Sequence, residues 1–155
     1  KLSGWSNKPI IELLLPSTVD DSLAPEGAHV ASLFCQQFAP ELPDGRDWDD
    51  CRDEVADLAI DTVNEYASNF KKSVLGRQVL TPKDLEADFG LIGGDIIHGA
   101  MTLDQMWAAR PALGHGDYRG ALAGLYHCGA GAHPGGGVSG LPGRNAAREI
   151  LKDAG

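Results

Sequence analysis

The sequence predicts an α+β chain that ends in an α/β piece: an antiparallel strand pair and one long helix, followed by a strand, a glycine-rich loop and a closing helix. Three features predict it. Two β-rich apolar runs flank a turn-forming stretch between Pro16 and Gly27. Apolar residues recur at threes and fours from Trp48. The short run Leu125, Tyr126, His127 and Cys128 opens onto seven glycines from Gly129 to Gly143, after which helical spacing resumes.

Lys1 to Lys8 is polar and unpatterned. Pro9 to Leu15 is an apolar run of strand length stopped by Pro16, and Ala28 to Phe38 is a second β-rich run. Pro16, Ser17, Asp20, Asp21, Pro25 and Gly27 supply the turn between them, so the two runs are expected to pair antiparallel. Asp47 stands where an N-cap should, with Asp49 and Asp50 in the first turn. Trp48, Cys51, Val55, Leu58, Ala59, Val63, Tyr66 and Phe70 then form an apolar stripe, giving a helix of about six turns closed by Lys71 and Lys72. That stripe reads as core.

Val74 to Leu80 has the composition of a returning strand. Thr81, Pro82 and Asp84 form a sharp helix start, with hydroxyl cap, proline in the first turn and a carboxylate reaching back; Gly90 ends the helix. Leu91 to Gly99 suggests a tight, partly buried segment carrying His98, either an active-site side chain or a histidine bonded to backbone beside glycines. Thr102 to Trp107 reads as one or two helical turns stopped by Arg110 and Pro111. Of twenty glycines, eleven fall between Gly114 and Gly143, which places a domain boundary near residue 113. The pieces are therefore 1–113 and 114–155.

In the second piece, Leu125 to Cys128 is expected to be a buried strand ending at Gly129. Ala146, Ala147, Ile150, Leu151 and Ala154 mark a helix of about three turns starting between Val138 and Leu141, where Pro142 is tolerable only in the first turn. Strand, glycine loop and helix together aim free amide N–H groups and a positive dipole end at an anion or an electron-rich ring. Gly135, Gly137 and Gly140 spell GxGxxG, but the loop is longer than a tight dinucleotide-binding turn, and no acidic ribose ligand can follow about 20 residues on. No Lys followed by Ser or Thr closes the run, which excludes a P-loop. A glycine loop serving only close packing remains the alternative.

Composition narrows the function classes. The formal charge is −9, and ten acids against two bases lie between Glu41 and Glu65, either a docking face for a basic partner or a solvated helix face. Phosphate neutralisation needs clustered Lys and Arg, so nucleic acid is not expected as a partner. Arg144, Arg148 and Lys152 make one basic stripe, for phosphate contact or for surface charge balance. No apolar run reaches the about 18 residues of a membrane span. Three cysteines, Cys35, Cys51 and Cys128, are unpatterned, as in reduced cytosolic thiols. His115, His127, Cys128 and His133 match no familiar ligand spacing, so no metal centre is expected. No nucleophile, base and orienting acid can be assembled from spacing, and hydrolysis has no support.

The stretch GLYHCGAGAHPGGGVSGLPGRNAAREIL resembles the C-terminal flavin-binding segment of the phytoene desaturase-like FAD-dependent oxidoreductases. KPIIELLLPSTVDDSLAPEGAHVASLF, LTPKDLEADFGLIGGDIIHG and MTLDQMWAARP are similar to the same family, closest to its pyridine nucleotide-disulfide oxidoreductase domain branch. The resemblance covers nearly the whole chain. It implies that 1–113 is a portion of a substrate-binding domain and 114–155 the C-terminal piece of an FAD-binding domain whose N-terminal half, with the fingerprint for the ADP end, is absent. By the same resemblance Gly129, Ala130 and Gly131 would pass the ribityl and pyrophosphate side, Pro134, Gly135, Gly136, Gly137 and Val138 would line the ring, and Gly140 would also belong to the cofactor-binding set. Many flavoproteins have an acid where Ala130 stands; a small residue there is common in this branch and removes one anchor. Catalytic residues are not identified beyond His98 as a candidate.

What the resemblance implies is hydride transfer from an apolar, carotenoid- or lipid-like substrate to flavin N5 in an intact enzyme. It also implies that the chain by itself holds no FAD and is inactive, and that it partners the missing N-terminal half of the same polypeptide. Orphaned apolar surface would then favour a homodimer of the fragment. The expected location is cytoplasmic, or mitochondrial in a eukaryote, and peripheral contact with a membrane stays open. The alternative is a non-enzymatic α+β interaction module that self-associates.

Overall fold

A computed structural model describes residues 3–99 and 102–155. The motif MTLDQMWAARP is therefore described from Thr102 on, and Lys1 lies outside the described residues. The chain forms two compact units, Lys1–Phe89 and Gly90–Gly155. The glycine enrichment that begins at Gly114 is thus a change of composition inside the second unit.

In the first unit the two apolar runs do pair. Strands β1 (Ile11–Leu14) and β2 (Ser32–Cys35) run antiparallel, with Ile11 opposite Cys35 and Leu13 opposite Leu33. Because side chains alternate, these four share one face, and Glu12, Leu14, Phe34 and Ser32 share the other. Leu14 and Phe34 are exposed there. Beyond the strands the ribbon continues through a Trp5–Phe38 bridge, which delivers both rings to the core.

That core is the buried set Leu42, Trp48, Cys51 and Val55, with Trp5 and Phe38 packed against it. The Trp48 ring lies 5.8 Å from Trp5 and 6.2 Å from Phe38, tilted in both pairs, and its indole N–H donates to the Pro40 carbonyl at 3.0 Å. A buried indole needs that acceptor.

Helix α1 (Trp48–Tyr66) starts as the sequence predicts, with the Asp47 carboxylate accepting from the Asp49 N–H at 2.8 Å. Its end differs. The backbone leaves helical angles at Ala67, and Phe70 belongs to a separate single turn, α2 (Phe70–Ser73). The Asn64 side chain accepts from the Lys71 N–H at 3.0 Å, offering the chain a bond that competes with helix continuation. Lys71 accordingly does not cap α1; its ammonium pairs with Asp61 at 2.6 Å. The apolar stripe is core only in its first half, since Tyr66 is 87% exposed.

Most of the acids of α1 are paired within the chain. Arg77 reaches Asp53 and Asp57, Lys83 reaches Asp47 and Asp49, and Lys8 reaches Glu65. To do this, 74–80 runs alongside the helix without a ladder, so the strand expected there does not form. Its Val79 carbonyl accepts from Arg52 instead, at 2.7 Å.

Helix α3 (Pro82–Phe89) has the expected start: Asp84 Oδ2 accepts from the Thr81 N–H at 2.6 Å and the Thr81 hydroxyl at 2.8 Å. In the second unit, 91–99 is more open than the sequence suggests, with Ile92, Ile96 and Ile97 exposed. Two three-residue turns, Leu103–Gln105 and Trp107–Ala109, stand for the helical turns expected before Arg110. Leu125 to Cys128 does not form a buried strand. The segment makes one antiparallel bridge, Arg119 with Tyr126, and Leu125, His127 and Cys128 are exposed. A strand needs a neighbour to occupy its amides, and here Gly120 and His127 N–H donate to Leu125 and Tyr118 carbonyls across a local turn. Helix α4 (Leu141–Ala154) closes the chain with Pro142 in its first turn, as required. Among the described residues no helix is long and apolar enough to cross a membrane.

Candidate functional site: the glycine loop and the start of α4

The loop between Gly129 and Gly140 is built from two successive turns, in which Ala132 N–H donates to the Gly129 carbonyl at 3.1 Å and Gly135 N–H to the Ala132 carbonyl at 2.7 Å. Ala132 and Gly135 are buried, whereas Pro134, Gly136, Gly137 and Val138 are exposed. The loop thus has an anchored half and an open half. Gly140, at φ 69°, is the N-cap of α4, a left-handed position that suits glycine. Ser139 Oγ accepts from the Leu141 N–H at 3.3 Å, and Arg144 N–H closes the first helical bond onto Gly140.

Few of the other amides are engaged. Among the described residues the N–H groups of Gly131, Gly136, Gly137, Val138, Gly140 and Gly143 make no hydrogen bond within the chain. Unengaged donors at a helix N-terminus are suited to receive an anion. Close packing fixes part of it: a Cβ on Gly136 would lie 2.9 Å from Ile97 Cγ2 and 3.8 Å from the Ala130 methyl.

The anchored half is held by Arg110, which the spacing of the sequence marks only as a helix stop. Its side chain is buried, with the residue 3% exposed. Nε donates to the Gln105 carbonyl at 2.8 Å, and Nη1 to the Ala130 carbonyl at 2.8 Å and the His98 carbonyl at 3.2 Å. Nη1 also lies 3.6 Å from the point where a Gly135 Cβ would stand. So Arg110 brings Ala130, Gly135 and the backbone of His98 together. The signal was a cation inside an apolar run, Trp107-Ala108-Ala109-Arg110-Pro111-Ala112-Leu113, a setting that predicts burial with bonded nitrogens.

His98 itself is exposed, at φ 62°, and its carbonyl rather than its imidazole meets the guanidinium. Tyr118 is the second residue missed. Its hydroxyl donates to the His133 carbonyl at 2.9 Å and accepts from Asn145 Nδ2 at 2.8 Å, tying the loop to α4. Farther along α4, Arg119 forks onto Asp153 at 2.8 and 2.7 Å and pairs with Glu149 and Asp117, while the Tyr126 hydroxyl donates to Asp153. Arg119 first, and then Tyr126, hold the Asp153 carboxyl down to about 2. Lys152 of the basic stripe pairs with Glu149 at 2.5 Å, and Arg144 and Arg148 are exposed. Among the described residues no three His, Cys, Asp or Glu side chains converge as metal ligands.

The proteins this chain resembles are named as oxidoreductases, dehydrogenases and desaturases. It is 54% identical over 149 residues to pyridine nucleotide-disulfide oxidoreductase domain-containing protein 2 of Rattus norvegicus, covering 96% of this chain and 26% of the relative. It is 30% identical over 143 residues to a limonene dehydrogenase polypeptide of Castellaniella defragrans, covering 88% and 26%. It is 31% identical over 140 residues to the 4,4'-diapophytoene desaturase (4,4'-diaponeurosporene-forming) of Staphylococcus aureus, covering 86% and 26%. The chain thus matches the branch its motifs resemble, and it spans about a quarter (26%) of the length of these curated relatives. No protein-family model matches the chain.

Proposed function

We propose that this chain is the C-terminal part of an FAD-dependent oxidoreductase that dehydrogenates an apolar, carotenoid- or lipid-like substrate. The observation that carries the reading is the open half of the glycine loop, which presents unengaged amides where α4 begins. Its chemistry fits a flavin: exposed, side-chain-poor backbone lets a flat ring approach, and the dipole end of α4 favours negative charge beside it. FAD bound there would accept a hydride from the substrate, whose second hydrogen would leave as a proton. On this proposal Pro134, Gly136, Gly137 and Val138 line the ring and Gly129 to Gly131 the ribityl side. Residues 114–155 close the FAD-binding domain, and 1–113 belong to the substrate-binding domain. The names of the desaturase and the limonene dehydrogenase support an apolar substrate.

The expected partner is the rest of a longer polypeptide. Leu14, Val19 and Phe34 are exposed in the first unit, and a two-stranded ribbon is marginal without further strands, so both support a surface that is covered in the intact enzyme. The test is the product of the whole reading frame that contains these residues. It should purify with FAD and an absorbance band at about 450 nm, whereas residues 1–155 alone should be colourless. A colourless full product, or stoichiometric FAD on 1–155, contradicts the proposal.

A further inference from the structure

Building on the flavin site just proposed, we infer that Arg110 is the positioning residue of the glycine loop. Its guanidinium ties the Ala130 carbonyl of the loop to the His98 and Gln105 carbonyls outside it, so that the Gly131 N–H is presented on the side away from the guanidinium. At 3% exposure the guanidinium is not itself open to an anion, and Nη1 is already engaged by the Ala130 and His98 carbonyls. What it controls is orientation. The peptide joining Ala130 to Gly131 is planar and trans, so a carbonyl pulled toward Nη1 at 2.8 Å turns the Gly131 N–H the opposite way. Gly135, which closes the next turn, rests against the same nitrogen, and Gly136 then starts the run of unengaged donors.

A loop this rich in glycine loses much conformational entropy when it orders around a ligand. A buried fork that fixes it beforehand lowers that cost, which raises affinity without touching the ligand. Lysine cannot reproduce the effect, because three carbonyls in separate directions need the rigid planar array of guanidinium donors.

The experiment uses the product of the whole reading frame, with Arg110→Lys, Arg110→Gln and Arg110→Ala. Flavin should dissociate with a constant raised about tenfold or more in each, as expected when one or two bonds that order the loop are lost. Millimolar methylguanidinium should restore binding to Arg110→Ala, a rescue that a general loss of stability would not show. Arg119→Gln is the control: it breaks three ion pairs in the same unit away from the loop and should bind flavin as the unmodified protein does. Unchanged flavin affinity in Arg110→Lys and Arg110→Gln overturns the inference. So does equal loss in Arg119→Gln, or absence of methylguanidinium rescue. If the unmodified product binds no flavin, the proposed function itself fails first, and that outcome is distinguishable from these.

Discussion

Arg52 and Asp84 are joined in a fork, Nη1 to Oδ2 at 2.5 Å and Nη2 to Oδ1 at 2.9 Å, that fastens α1 to the first turn of α3. The same carboxylate caps Thr81 through its N–H and hydroxyl. One side chain thus serves as helix cap and as inter-helix clasp. Asp84→Ala should cost about 2–3 kcal/mol, the sum of a lost cap and a partly buried charged bond, read as a shift in the urea midpoint. Lys83→Ala, whose partners Asp47 and Asp49 are exposed, should leave the urea midpoint nearly unchanged, since solvent screens such pairs.

Acid should weaken the first unit through this carboxyl. Arg52, and then the Thr81 N–H, hold the Asp84 carboxyl well below the usual carboxylate range. A group depressed on folding stabilises the fold above its unfolded value of about 3.9 and loses that contribution as pH falls toward its folded value. The urea midpoint should therefore drop from about pH 4 downward, and the drop should be smaller in Asp84→Asn. Equal acid slopes in the two proteins would refute the assignment.

Gly136 and Gly137 should respond to alanine for different reasons. At Gly136 a Cβ would come 2.9 Å from Ile97 Cγ2, so Gly136→Ala is a packing conflict of about 1–3 kcal/mol. Ile97→Ala should relieve it, giving a coupling of about 1 kcal/mol in a double-mutant cycle. At Gly137 there is open space, but φ is 102°, so Gly137→Ala costs about 1–2 kcal/mol of backbone strain that Ile97→Ala does not relieve.

Val138 is held at φ 54° with its side chain fully exposed. A β-branched residue there is strained and gains nothing from burial in the chain by itself. Val138→Gly should raise stability by about 1 kcal/mol in thermal unfolding of the flavin-free chain. In the proposed holoenzyme it should weaken flavin retention, because the methyls would no longer meet the ring. A variant that loses stability in the flavin-free chain would show that the strain is absent.

Local chemistry was legible in the letters. Asp47, the Thr81-Pro82-Asp84 start, Pro142 in the first turn of α4 and the β1–β2 pair depend on residues near one another in sequence, and each is in place. The expected strands at 74–80 and 125–128 are absent because β-composition only makes a segment suitable for a ladder, and a neighbour with free amides must complete it. The amide-rich loop was likewise readable, since glycine spacing and the helix after it are local.

By itself, then, the sequence determined the caps, the amphipathic helices, the hairpin ribbon and the position of the glycine loop before α4. Only the tertiary structure decided what holds that loop. Arg110 stands 20 residues from Ala130 and 12 from His98, and Tyr118 stands 27 from Asn145. Hydrogen bonds between residues that far apart leave no periodicity in the chain, because the backbone path that brings them together is set by packing.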